Sequence, residues 1–387
     1  MRILHTSDWH IGKRLLGRDR LTEQAQALDE IAEICDRENV EVVLVAGDVF
    51  DTYLPSADAE DLFYEKIKKI AGTDRAVLII SGNHDDNVRL GAATSLAETQ
   101  GIYIYGNFGY VPKGKGHGKI TVKEAGSNFI VFSDGRDDVF FNVLPYPNET
   151  RLKEDKNPDE AFFDKMKRWI AAGQSANRGD LPCVFLSHLF VAGGRVSEGE
   201  RDIDLGGARA VPLDLLPQCD YAALGHLHRS QHFKNNVYYS GSILQYAFDE
   251  AGLKKNVVVF DLTKQGAENI REIELHSGKK LVRLKAQGIE QSLALLPQYP
   301  DCFIELTIYL NEPLISSQIK MLKDANEGLI SIIPEIGSVR ETSLRSLKKN
   351  LSAKELFTEY YKELFTEQPP AELEELFLTV MGEADET

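Results

Sequence analysis

The chain has 387 residues, 43% hydrophobic and 27% charged, with a formal net charge of −16. That length and composition suit an ordinary two-domain globular protein, and no run of about 18 or more apolar residues offers a membrane span. The acidic balance excludes a protein that coats nucleic acid by bulk electrostatics, although bound metal ions or a partner can supply positive charge locally.

Arg2 to Ser7 reads as a short strand, followed by Asp8-Trp9-His10. Residues two apart on an extended chain point to one side, so a carboxylate and an imidazole leave this strand end together. Alone, such a D-x-H is common and mostly carries no metal. No charged leader with an apolar run precedes the strand, so no signal peptide is expected. The four cysteines, Cys35, Cys183, Cys219 and Cys302, form no CxxC and read as buried thiols of a reducing cytoplasm.

Leu21 to Glu38 has the three- and four-residue apolar spacing of an amphipathic helix. The β-branched run Val40 to Ala46 reads as a strand covered on both faces, ending in Gly47-Asp48. A helix follows from Ser56, its N-cap, to Ala71. Arg75 to Ser81 is the next strand, ending in Gly82-Asn83-His84-Asp85, and Asp86 or Asn87 caps a third helix to about Gln100. This alternation is a doubly wound α/β pattern, in which ligands bind at the carboxyl ends of the strands.

Short strands follow at Ile102 to Tyr105, Lys119 to Glu124, Asn128 to Ser133 and Val139 to Leu144, with a basic loop around Pro112 to Lys119. Pro158 to Ala176 reads as a helix with Trp169 turned inward. Pro182 to His188 is another strand, and Gly193 to Gly207 a long loop. Asp220 to Leu224 leads to Gly225-His226-Leu227-His228, and Val237 to Ser242 and Asn256 to Leu262 read as late strands closing a second sheet.

Beyond Lys279 the texture is that of a small α+β unit, with strands at 280–286, 302–309 and 329–334 and a helix near Ser316 to Asn326. Ser352 to Phe365 and Pro370 to Met381 are short amphipathic helices with an apolar stripe of Leu356, Tyr360, Leu364, Leu373, Leu376 and Phe377. From Glu341 onward there are five basic and eleven acidic side chains. The residues alone leave two readings of this tail open: packing back on the body, or docking a partner helix or coiled coil.

Asp8, His10, Asp48, Asn83, His188, His226 and His228 thus fall at five strand ends of one sheet system. Each has an ordinary explanation singly, as a cap, a turn residue or a core histidine. Jointly they supply four imidazoles, two carboxylates and an amide, enough for two metal ions sharing an aspartate bridge. Mixed N and O ligands suit Mn, Fe or Zn better than Mg or Ca. Two ions about 3.5–4 Å apart suit phosphate ester hydrolysis. His84 is then placed to stabilise or protonate the leaving oxygen, with Asp85 orienting it.

The set D-x-H, G-D, G-N-H-D, H and G-H-x-H resembles the calcineurin-like metallophosphoesterases. The runs His5 to Lys13, Ala46 to Asp51 and Ser240-Gly241-Ser242 are similar to the bacterial branch of the DNA double-strand-break repair nucleases. The resemblance implies a two-sheet α/β sandwich nuclease domain over 1–276, a small α+β DNA-capping domain over 277–342, and a linker with C-terminal helices over 343–387 that dock a coiled-coil partner. It implies one metal on Asp8, His10, Asp48 and His228, the other on Asp48, Asn83, His188 and His226, and His84 as the transition-state histidine. The implied cofactor is two Mn²⁺, other divalent metals being admitted.

The implied activities are an ATP-dependent 3′→5′ double-strand exonuclease and an ATP-independent single-strand endonuclease. They act on DNA ends and hairpins in recombination, replication and repair. The ATPase is a separate coiled-coil ABC-type partner, consistent with the lack of a G-x-x-x-x-G-K-[ST] loop here. A homodimer within a heterotetramer, a cytoplasmic location and no membrane association complete the expectation. Asp51 stands where archaeal and eukaryotic relatives carry a strand-positioning histidine. Two other readings are a phosphoesterase for small phosphodiesters or phosphoproteins, against which the extra domain and tail speak, and a non-catalytic scaffold, against which the complete ligand set speaks.

Overall fold

The computed structural model describes residues 1–148, 151–152, 161–201, 210–234 and 236–336, with isolated tail pieces at 357–358, 361–362, 368–370, 373 and 376–377. The chain divides into two compact units. The first holds Met1–Leu284, Tyr299–Glu305 and Asn326–Ser331; the second holds Lys285–Gln298, Leu306–Ala325 and the residues from Ile332.

In the first unit β1 (Arg2–Thr6), α1 (Leu21–Arg37), β2 (Val42–Ala46), α2 (Ala57–Ala71) and β3 (Ala76–Ile80) alternate as the apolar periodicity requires. Ser56 caps α2 by accepting from Ala59 N. The third helix departs from expectation. Asp86 caps it, accepting from Val88 N and Arg89 N, but it stops at Leu90, and Gly91 separates α3 (Asn87–Leu90) from α4 (Thr94–Ala97). Glycine interrupts a helix cheaply because it gains so much backbone freedom outside one.

β4 (Ile102–Tyr105) ends this run, and β5 (Gly116–His117), β6 (Ile120–Ala125), β7 (Phe129–Ser133) and β8 (Asp138–Leu144) form a meander. Then come α5 (Phe162–Gln174), β9 (Cys183–His188), α6 (Glu198–Arg201), β10 (Tyr221–Gly225), β11 (Gln231–Phe233), β12 (Val237–Tyr239), β13 (Lys255–Thr263) and β14 (Gly266–Leu275). Trp169 of α5 is half-buried against Phe108, ring centroids 4.7 Å apart. Part of the expected loop Gly193 to Gly207 is α6, and residues 202–209 lie outside the described residues.

The strands make a six-stranded sheet, β14-β13-β1-β2-β3-β4, and an eight-stranded sheet, β11-β12-β10-β9-β8-β7-β6-β5. β13 does not close the second sheet as expected: it returns to pair antiparallel with β1, Arg2 opposite Asp261 and His5 opposite Val258. Its partner on the other side is β14, a strand the sequence reading did not mark.

Alternation along the strands builds the main cores. Ile3, Leu44, Ile80 and Phe260 of one sheet meet Phe141, Leu186, Tyr221 and Ala223 of the other. Leu4, Val43, Val45 and Val77 face α1 and α2, and Phe185, Leu224 and Leu144 face Met166 and Ile170 of α5. The unit is therefore a two-sheet α/β sandwich with helices on both outer faces.

β15 (Lys280–Gln287), β16 (Cys302–Leu310) and β17 (Leu329–Ile336) form a three-stranded sheet, accompanied by α7 (Gly288–Leu295), which the periodicity reading missed, and α8 (Ser316–Ala325). The expected tail helices lie almost wholly outside the described residues; of the pieces described, Phe357 and Phe377 stack with centroids 4.3 Å apart. No helix among the described residues is long and apolar enough to cross a membrane.

Candidate metal centre

The seven expected ligand residues converge where the central strands of both sheets end. Asp8 and His10 follow β1, Asp48 follows β2 and Asn83 follows β3, while His188 ends β9 and His226 and His228 follow β10. The ligands therefore come from two facing sheets rather than one. Main-chain bonds zip the strand ends together: Asp8 N to Gly47 O at 3.0 Å, His10 N to Asp48 O at 3.0 Å and Ile11 N to Val49 O at 2.9 Å. Across the sheets, His226 N donates to Asp8 Oδ1 at 3.0 Å.

Four of these residues have left-handed backbones: Asp8 (φ 51°), His10 (φ 45°), Asp48 (φ 51°) and His226 (φ 105°). Non-glycine residues in that region store strain, held only where the surroundings over-determine it. The strand ends also need close approach. A Cβ at Gly82 would overlap the Asp48 carboxylate, and one at Gly225 would overlap Ala46 O. Only glycine lets the two ligand turns lie this close.

All of the ligand side chains are buried or nearly so. Asp8, His10 and His228 bring ligand atoms within 4.8 Å of one another, and so do Asp8, Asp48 and His188, and His10, Asp48 and His84. His10 Nε2 and His228 Nε2 are 3.0 Å apart. Glu250 Oε1 lies 3.3 Å from His228 Nδ1 and accepts its N–H, which turns Nε2 toward the centre as the ligating nitrogen. His188 Nδ1 donates to Ala46 O at 2.8 Å, which turns Nε2, 2.8 Å from Asn83 Oδ1, toward the centre as the nitrogen that would ligate once deprotonated. Lone pairs converging on lone pairs are repulsive unless a cation lies among them, so the donor set fits two divalent ions.

The electrostatics agree. Burial pushes His10 and His226 down to about 3, so both are neutral and able to ligate. Burial would also lower His188, but the Asp48 carboxylate 3.4 Å away outweighs it and lifts this ring to about 9. Asp48 is held well below the carboxylate range: burial would raise it, and His188 and His84 more than offset that. Burial raises Asp8.

His84 sits at the rim, its ring 4.7 Å from that of His10. Its main-chain N donates to Asp48 Oδ1 at 2.8 Å, and its Nδ1 faces Asp51 O at 2.7 Å. Nε2 is buried without a partner among the described residues. Asp85 does not orient this ring. Its carboxylate accepts from Gly82 N at 2.8 Å, Phe50 N at 2.9 Å and Val49 N at 3.2 Å, and so ties the Asp48 turn to the Asn83 turn. The orienting role expected of Asp85 belongs instead to the main-chain carbonyl of Asp51, because three buried N–H groups occupy the Asp85 oxygens.

Several residues about the site carried no sequence signal. Arg151 donates to Gly82 O at 2.8 Å and Asp85 O at 2.6 Å, bracing the same turn. Glu200 accepts from His228 N. Lys255 lies 2.5 Å from Glu250 Oε2 and donates to His228 O at 2.8 Å. In a chain with 60 acidic residues, nothing in spacing distinguishes Glu200 or Glu250.

The family model for calcineurin-like phosphoesterases matches residues 1–230. The SbcD component of the nuclease SbcCD of Bacillus subtilis is 36% identical over 402 aligned positions, covering 100% of this chain and 99% of that protein. Its namesake from Rhodobacter capsulatus is 35% identical over 306, covering 74% of this chain and 72% of its own length. Among solved structures, a dimetal phosphatase from Danio rerio matches at 13% identity and a TM-score of 0.40, over 72% of this chain and 99% of its own. A purple acid phosphatase from yellow lupin seeds matches at 14% and 0.35, over 67% and 49%.

Proposed function

We propose, for a chain that belongs to the calcineurin-like phosphoesterases and within them groups with the SbcD proteins, that it is the two-metal nuclease component of an SbcCD-type complex. The observation that carries this reading is the convergence of ligand atoms from Asp8, His10, Asp48, Asn83, His188, His226 and His228. Asp8, His10, Asp48 and His228 would hold one ion and Asp48, Asn83, His188 and His226 the other, with manganese as the resident metal. Bound there, the ions supply positive charge to a phosphodiester and acidity to the attacking water.

The chain's own residues do the rest. Asp85 and Arg151 keep the Asp48 and Asn83 turns in register. Asp51 O engages His84 Nδ1, and Nε2, buried without a partner among the described residues, holds a proton and passes it to the departing 3′-oxygen. The glycines at 47, 82 and 225 let the ligand turns approach one another closely.

The substrates of this reading are DNA ends and hairpins. Double strands are degraded 3′→5′ with ATP, and single strands are cut without it, in repair, recombination and replication in the cytoplasm. The partner is the coiled-coil ATPase SbcC, gripped by the segment over 343–387, with residues 277–342 capping the DNA and two copies of this chain in a heterotetramer. Full-length coverage of the Bacillus relative supports that assembly.

The test is cleavage of an end-labelled linear duplex with manganese, by this chain alone and then with the ATPase and ATP. Strong degradation only with both is expected. Hydrolysis of a small phosphodiester with no DNA cleavage under either condition would overturn the nuclease reading.

A further inference from the structure

The two halves of the centre are backed differently. Behind His228, the Glu250 carboxylate faces Nδ1 at 3.3 Å and is held there by Lys255, 2.5 Å from its other oxygen. Lys255 is fixed in turn by His228 O and Ser242 Oγ, each at 2.8 Å. Behind His10, Asp51 Oδ1 lies 3.3 Å from Nδ1 and is held by Lys13 at 2.9 Å. The two rings whose Nε2 atoms face each other thus each have a lysine-held carboxylate 3.3 Å from Nδ1, with hydrogen-bond geometry at His228 and an ion-pair approach alone at His10. This backing is built from four residues on separate loops and strands.

The other half has no such support among the described residues. His188 Nδ1 rests on the neutral carbonyl of Ala46, and the Asn83 amide is neutral. The Asn83 amide oxygen lies 2.8 Å from His188 Nε2 and 2.9 Å from His226 Nδ1, whereas Asp8 and Asp48 bring ligand atoms near both halves, Asp8 to His10 and His228 and, with Asp48, to His188. A carboxylate behind a ligating histidine fixes the tautomer and raises the basicity of the ring, typically improving metal affinity 10–100-fold.

We propose that Glu250 and Asp51 are positioning residues that make the His10–His228 half the tighter of two unequal sites, so that the centre fills in a fixed order. The inference rests on the two-ion reading above. The second ion, held by Asn83, His188 and His226, is then the one that comes and goes at limiting metal.

The test is calorimetric titration of the full chain with MnCl₂, with no substrate present. The wild type is expected to show two binding events differing at least about 10-fold in Kd. Glu250→Gln and Asp51→Asn should each weaken the tighter event about 10–100-fold and leave the weaker one in place. Asn83→Ala should remove the weaker event only, and adding Glu250→Gln to it should weaken what remains. Far-UV circular dichroism checks folding, and Asp51, being partly exposed, is the safer variant. Two events in the wild type that neither substitution moves would overturn the ordering while sparing the two-ion centre. No manganese bound by the folded wild type would overturn both.

Discussion

Trp9 lies between two ligands with left-handed backbones and is itself fully buried, its Nε1 donating to Thr6 Oγ1 at 3.0 Å. Burying an indole removes about 150–250 Å² from water, or about 4–6 kcal/mol at 25 cal/mol per Å². The left-handed conformation costs about 1–2 kcal/mol at each of Asp8 and His10, so about 2–4 kcal/mol together. Burial of this one side chain therefore outweighs the strain on either side of it. Trp9→Phe, retaining about 3 kcal/mol of burial, should cost about 2 kcal/mol and keep manganese affinity within about 3-fold. Trp9→Ala should cost about 3–5 kcal/mol and weaken manganese at least about 10-fold, because the turn no longer has an anchor. Urea unfolding in chelator and titration with manganese read the two effects separately. An alanine variant that loses the expected stability yet binds both ions like the wild type would refute the anchoring argument.

His84→Gln should lower kcat for DNA cleavage about 10²–10⁴-fold with metal stoichiometry and circular dichroism unchanged, as the loss of a proton donor predicts; a change in metal binding would place the residue among the ligands instead. Chelation should lower the urea midpoint and manganese restore it, by about 2.7 kcal/mol per site at a hundredfold excess over Kd; a midpoint indifferent to metal would contradict a centre built on opposed lone pairs. Arg2 holds the Asp261 carboxyl below its usual range through contacts at 2.7 and 3.2 Å. A depressed carboxyl stabilises the fold above its unfolded value and loses that contribution as pH falls through the folded one. The pair is part-exposed, so Arg2→Met should cost less than about 1 kcal/mol at pH 7, and the deficit should shrink as pH falls below the ordinary carboxylate range; a deficit that grows in acid would refute it.

The candidate ligand residues stood out in the sequence because each ends an apolar strand: singly each has an ordinary explanation, but five such strand ends together do not. The glycines at 47, 82 and 225 marked the same turns, and the structure shows why they are needed. What stayed illegible was whatever depends on pairing between distant segments. Val257 to Leu262 has the same alternation whether it joins one sheet or the other; only the pairing of Arg2 with Asp261 and of Leu4 with Val259 decides it. Asp85 read as a partner for its neighbour His84, because sequence adjacency suggests contact. The three N–H groups that claim it come from residues 49, 50 and 82, brought there by the fold. Glu250 is invisible for the same reason: its partner His228 is 22 positions away, behind two turns.

The return of β13 to the first strand has a consequence in time. β1 is paired on one side by β2 as soon as about 46 residues exist, but its other edge is closed only by residues 258–261. At a synthesis rate of about 5–20 residues per second, that edge waits roughly 10–40 s, exposed to any other strand in reach. His226 and His228 arrive late in the same interval, and Glu250 and Lys255 follow them. A chain cut short anywhere before β13 thus has Asp8 and His10 at the end of a strand with one open edge, and lacks Lys255 behind Glu250.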